Sequence, residues 1–189
     1  YGGYELDDKG KRIAIGVNVY PCVSVINGLP SYAASATIAK AEGEYLIAAT
    51  QIHHTVMGRD SIVRETTLST FLKTSYKLPL DQLAIQGHEI LLKSDNTRAV
   101  EVAFTRVTPE KIETLLLGNV SAYINEPETY IPIQNGSLGL SIPQTINVHH
   151  FDRRSNLSVI IHTDGIAKVD SKEAFRVMNS VQSTAYSIF

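Results

Sequence analysis

The side chains in this sequence best suited to chemistry are its histidines and one late aspartate. His53-His54, His149-His150, His162 and Asp164 lie within or just after stretches of strand-like character. Neutral imidazole and carboxylate oxygen are both zinc ligands, so His53 or His54 together with Asp164 form a candidate Zn²⁺ site. Adjacent residues of a strand point to opposite faces, so each histidine pair offers such a site at most one member. Asp164-Gly165 also has a purely structural reading as a turn. An aspartate there bonds backbone amides two residues on, and the glycine accepts a positive φ. Arg153, Arg154, Lys168 and Lys172 are the notable late basic residues. A forked guanidinium suits phosphate, but Arg153-Arg154 is more simply a solvated hairpin tip. His88 falls beside an apolar helical stripe and reads as a boundary residue. Cys22 is the single cysteine, which excludes an internal disulfide and a zinc cluster of thiolates. The sequence holds no P-loop, dinucleotide-binding fingerprint, Gly-x-Ser-x-Gly elbow or His-Glu-x-x-His helix.

The elements that would carry these residues follow from periodicity. Residues 12–20, 22–26, 34–41 and 45–50 are short runs rich in Val, Ile, Ala and Tyr. Asn27-Gly28-Leu29-Pro30 and Glu42-Gly43-Glu44 separate them as turn signals. Residues 59–76 read as a helix of looser pattern. Leu80, Leu83, Ala84, Gly87, Ile90 and Leu91 recur at helical spacing and predict a second helix with one buried stripe, with Asp81 favourably placed near its free amides. The period then changes to two. Val100, Val102 and Phe104 share one face of a strand, and Glu101 and Thr105 lie on the other. Strands are predicted over 112–117, 120–124, 145–151 and 157–163, with turns at Asn125-Glu126-Pro127 and Asn135-Gly136, and with Gly118-Asn119 turning between paired strands. A short helix over 172–179 and a strand over 185–189 complete the reading. Strands, two helices and a long run of strands predict an α+β fold.

Composition narrows the function classes. The chain has 189 residues, enough for one domain over 1–189, with 43% apolar and 19% charged residues. Seventeen Lys and Arg against nineteen Asp and Glu give a net charge of −2, which leaves no basic excess to hold a nucleic acid by charge. No apolar run approaches the roughly 20 residues of a membrane helix. Residues 1–11 are polar and glycine-rich, unlike a secretory signal, so the sequons at Asn119, Asn135 and Asn156 are read as chance. A cytoplasmic location is expected. The first residue is Tyr rather than Met, which leaves room for a longer protein.

Leu115-Leu116-Leu117-Gly118-Asn119-Val120, then Gly139-Leu140, then Leu157-Ser158-Val159-Ile160-Ile161-His162-Thr163-Asp164-Gly165-Ile166 stand in a telling order. A strand ending in Gly-Asn precedes a strand ending in Thr-Asp-Gly. With the earlier strands and helices, this resembles the metal-dependent type 2C protein phosphatases over about residues 31–189, most closely their bacterial sporulation and stress-response branch. The resemblance implies a four-layer αββα sandwich of two antiparallel sheets flanked by helices. In active members, acids at strand ends hold two Mn²⁺ or Mg²⁺ ions that activate a bridging water for direct attack on phosphoserine, since hard cations lower the water's pKa and neutralise phosphate charge.

Laid over this chain, the family's first acid falls on Ala34, the second on Gln51, the third on Asp164 and the fourth on Gln182. Ile52 replaces the glycine that would approach the metals. One carboxylate cannot hold two such ions, so the resemblance implies a degenerate domain without a metal cofactor, a pseudophosphatase that acts by binding another protein in signalling or sporulation. That partner is in one version a phosphorylated signalling protein. Replacement of the acids leaves a neutral hollow beside Ile52, His53 and His54 that could receive a partner's side chain; the competing reading is that Ile52 only fills the core. Two alternatives stand beside this: an active serine/threonine phosphatase using Mn²⁺ or Mg²⁺ with an atypical ligand set, and a structural part of a larger protein.

Overall fold

The computed structural model describes residues 2–6, 12–16, 23–26, 29–32, 34–41, 44–52, 59–93, 99–125, 128–152, 159–163 and 176. In chain order they form β1 (Gly2–Leu6), β2 (Arg12–Gly16), β3 (Val23–Ile26), β4 (Leu29–Tyr32), β5 (Ala34–Ala41), β6 (Glu44–Ile52), α1 (Arg59–Ser75), α2 (Leu80–Leu92), β7 (Val100–Val107), β8 (Lys111–Leu117), β9 (Val120–Asn125), β10 (Glu128–Tyr130), β11 (His149–Asp152) and β12 (Val159–Thr163). A five-stranded antiparallel sheet runs β11-β8-β7-β6-β5, and a three-stranded one runs β10-β9-β12. The pairs β1-β2 and β3-β4 make two further antiparallel ribbons.

The larger sheet is covered on both faces. On one, Leu46, Ala48, Ile52, Val100, Val102, Phe104, Leu115 and Leu117 pack against Leu68, Leu72, Leu80, Leu83, Ala84 and Leu91 of the helices. On the other, Ala103 and Leu116 meet Val120 and Ala122 of β9, with Ala49, Phe151 and Ile161 packed around them. Each fully buried Leu or Phe contributes about 1.5–3 kcal/mol. The layers are therefore helices, large sheet and small sheet, the predicted α+β class. Of the helix predicted over 172–179, only Arg176 is among the described residues, and the strand predicted over 185–189 lies outside them.

Cover on both faces explains a pattern that alternation alone does not. Glu101 and Thr105, on the opposite face of β7 from Val102 and Phe104, are buried as well. The interior threonines satisfy each other, with Thr105 and Thr114 hydroxyls 3.3 Å apart. At one end of β7 the Arg106 guanidinium donates to the carbonyls of Tyr76 and Leu78 and faces Glu113 at 3.8 Å, which ties the link between the helices to the sheet.

Three differences from the sequence reading have physical causes. Gly118-Asn119 does not turn between paired strands: β8 and β9 belong to different sheets, so the turn carries the chain from one layer to the other. Strand β11 begins only at His149, because Asn147 gives its N–H to the Gln134 side chain at 2.7 Å and accepts from it at 2.8 Å, leaving that stretch no ladder to join. Strand β4, within and beyond the apparent turn signal, takes Pro30 because every strand of a two-stranded ribbon is an edge. The short strands β1 and β10 were also not apparent from periodicity.

Candidate functional site

The register of the large sheet places Ala34 opposite Gln51, and Gln51 opposite Glu101. These three positions form one row across β5, β6 and β7 at the sheet end where β6 finishes and β7 starts. Gln51 is two residues from Ala49 and Glu101 two from Ala103, so both side chains point toward the small sheet rather than toward the helices. Gln51 is 3% exposed and Glu101 6%. The sequence reading found the neutral residues of this row but missed Glu101, whose acid lies far away in the chain and adjacent only through strand pairing. A carboxylate interrupting an apolar strand was the available signal.

Next to the row, residues 131–148 fold back over the sheet end. Val100 and Leu138 exchange both backbone hydrogen bonds, at 2.9 and 2.8 Å, and Gly118 N–H donates to Gln134 O at 3.0 Å. Ser137 and Ser141 close a tight loop through backbone bonds of 2.7 and 3.1 Å. Gly139 N–H reaches across to His88 Nδ1 at 3.1 Å, so His88 is a boundary residue that joins α2 to this loop. Burial lowers the His88 pKa from its ordinary 6.5, with the charge of Glu89 opposing the shift.

Between loop and sheet lies a cleft of about 520 Å³ lined by Glu101, Gly118, Asn119, Ile133, Asn135, Gly136, Ser137 and Ser141. Glu101 is held against its wall by Gly118. The glycine has φ +85°, and a Cβ there would lie 2.5 Å from Glu101 Cγ and 2.8 Å from its Cβ. Glu101 Oε2 is buried with no hydrogen-bond partner. A buried polar oxygen left in this state is costly, since neither water nor a donor solvates it.

The other predicted residues separate. Ile52 faces the helices and is buried within their core, on the side of β6 away from Gln51. Of its two sequence readings, this position supports space filling. His150 lies on the edge strand, 3.2 Å from Glu113, which also binds Lys111 at 2.7 Å. His162 belongs to the other sheet, where its ring stacks on Tyr123 and its Nδ1 lies 2.8 Å from Thr163 O. The structure thus does not bring these late histidines together. His53, His54, Asp164, Gln182, Arg153, Arg154, Lys168 and Lys172 lie outside the described residues. The chain runs toward Asp164 from Thr163, which pairs with Val120 beside the Gly118-Asn119 turn.

No protein-family model matches the sequence, and no curated protein matches it. Solved structures do. A PP2C phosphatase domain of SpoIIE from Bacillus subtilis aligns at TM-score 0.56 and 14% identity, over 79% of this chain and 48% of that one. The fold is that of the type 2C phosphatases. RsbX in complex with magnesium aligns more fully, at TM-score 0.72 and 16% identity, over 100% of this chain and 90% of that one. A structure from work on the bacterial stressosome, described as a modular system adapted to control secondary messenger signalling, also gives TM-score 0.72 at 16% identity, covering 88% and 85%.

A type 2C phosphatase-like fold implies a pair of Mg²⁺ or Mn²⁺ ions, which the described residues at this sheet end do not by themselves suit. Hard divalent cations require several oxygen ligands, carboxylates foremost. The described part of the row supplies an amide at Gln51 and a single carboxylate at Glu101, and no group of three His, Cys, Asp or Glu able to hold a metal occurs among the described residues. Among those residues, no helix is long and apolar enough to cross a membrane.

Proposed function

We propose that this chain is a single type 2C phosphatase-like domain, over 1–189, that has lost hydrolytic metal chemistry and works by binding another protein in bacterial stress-response or sporulation signalling in the cytoplasm. The observation that carries the reading is the pairing of Ala34 with a buried Gln51 at the sheet end where the resemblance puts two acids. Clustered carboxylates repel one another unless cations neutralise them. An alanine and an amide remove that repulsion and with it the means of activating water. The kinship in fold to RsbX and to a stressosome structure supports the signalling context.

One observation favours a second reading, an active phosphatase with an atypical ligand set: Glu101 stands beside Gln51 with a carboxylate oxygen unpartnered. The two are separated by hydrolysis of p-nitrophenyl phosphate with Mn²⁺ or Mg²⁺, together with melting in millimolar Mn²⁺ or EDTA. The proposed reading requires a rate no faster than buffer and an unchanged melting temperature. A metal-dependent rate abolished by Asp164→Ala or Glu101→Ala establishes the second reading. A metal-induced rise in melting temperature lost in His53→Ala or His54→Ala establishes a histidine-based metal site instead.

A further inference from the structure

We infer that the cleft at the sheet end is a receptor for a guanidinium group, contributed by an arginine of the partner. This inference rests on the protein-binding reading above and names the chemistry by which that partner is held. Glu101 lines the cleft and is more than nine-tenths buried, with Oε2 lacking any donor. Among the described residues, no Lys, Arg or His lines the cleft to donate to it. The chemistry that complements this oxygen is a positive group bearing hydrogen-bond donors, small enough to enter about 520 Å³.

The rest of the lining selects among cations. A divalent metal needs more carboxylates than the described residues of this cleft present. A guanidinium carries five N–H donors, accepts nothing and matches a carboxylate with two parallel bonds. Around Glu101 the described lining is neutral and polar, with Asn135, Ser137 and Ser141 among its residues. Ile133, 39% exposed on the wall, supplies apolar surface for the methylene stem that carries the group. Gly118 keeps the carboxylate in place, since its backbone lies where any side chain would displace Glu101.

The test is a two-dimensional NMR titration of the full chain with N-acetyl-arginine N-methylamide, its citrulline counterpart, free arginine, an arginine-containing peptide and MgCl₂. The capped arginine is expected to give saturable shifts at Gly118, Asn119, Ser137 and Ser141. Citrulline, which has the shape without the charge, is expected to give none. Glu101→Gln should weaken binding about tenfold or more while preserving the native spectrum. Ser141→Arg, placed at the exposed rim, should block the probe by filling the cleft itself. Tighter binding of the peptide than of free arginine assigns the guanidinium to a protein; the reverse order overturns a protein source. Absence of shifts with capped arginine, or binding unchanged in both variants, overturns the inference and leaves the pseudophosphatase reading to the hydrolysis assay. Mg²⁺ shifting the same amides in a Glu101-dependent manner overturns the inference and the metal-free reading together.

Discussion

Gly118→Ala tests how tightly the turn between the sheets and the buried acid are coupled. A new Cβ meets Glu101 Cγ at 2.5 Å, Cβ at 2.8 Å and Cδ at 3.0 Å. These are the root and middle of a side chain that is 6% exposed, so it cannot swing away into solvent. Overpacking of this kind costs about 1–3 kcal/mol. The φ of +85° adds strain for any residue with a Cβ, about 1–2 kcal/mol. Together they predict a loss of about 3 kcal/mol, or a melting temperature lower by about 6–12 °C in a domain of this size. Urea denaturation gives the same quantity as a shifted midpoint at constant slope. The double variant Gly118→Ala/Glu101→Ala removes the contacts with Cγ and Cδ but keeps the Cβ contact and the φ strain. It should therefore recover about 1 kcal/mol relative to the sum of the single variants. Additivity within about 0.3–0.5 kcal/mol, or a neutral Gly118→Ala, would refute the claim that the glycine exists to hold Glu101.

Three further outcomes follow from individual residues. Ile52→Asp should unfold the domain by circular dichroism, because it puts an unpaired carboxylate into the helix-facing core at a cost of several kcal/mol. Arg106→Lys should destabilise by about 2 kcal/mol in urea and behave nearly as Arg106→Ala, since a lysine cannot serve Tyr76 O, Leu78 O and Glu113 from one planar fork. His88 has its folded pKa below the unfolded 6.5, so the unfolded chain binds the extra proton first. Its contribution is fully present above 6.5 and is lost as pH falls toward the lowered value; His88→Gln should flatten that part of a stability–pH curve, and an unchanged slope would count against the lowering of the His88 pKa by burial.

The sequence determined the elements whose cause is local. Strand β5 is observed with the predicted bounds, and α2 follows directly from the stripe of Leu80, Leu83, Ala84, Gly87 and Leu91, since burial against one sheet face imposes helical spacing on the chain. Order and spacing of Gly118-Asn119 and Thr163-Asp164 were enough to point to the type 2C fold, and alternation placed Glu101 opposite Phe104 on β7. What alternation could not say is whether that second face meets solvent or another sheet. Only the packing of β9 and β12 onto the large sheet decided it, and so turned Glu101 from an ordinary outward acid into a buried one. Local signals likewise made Gly118-Asn119 a turn, while pairing across the fold decided that it joins two sheets. The same holds for Ile52, whose apolar side chain suits a core or a contact surface equally until β6 shows which face it occupies. The row Ala34, Gln51, Glu101 is the clearest case. Its first two members could be aligned from sequence, but the third lies fifty residues beyond Gln51 and becomes its neighbour through the β6–β7 register alone. Hydrogen bonding between strands distant in sequence is a tertiary event, and it places the one carboxylate that lines the cleft among the described residues.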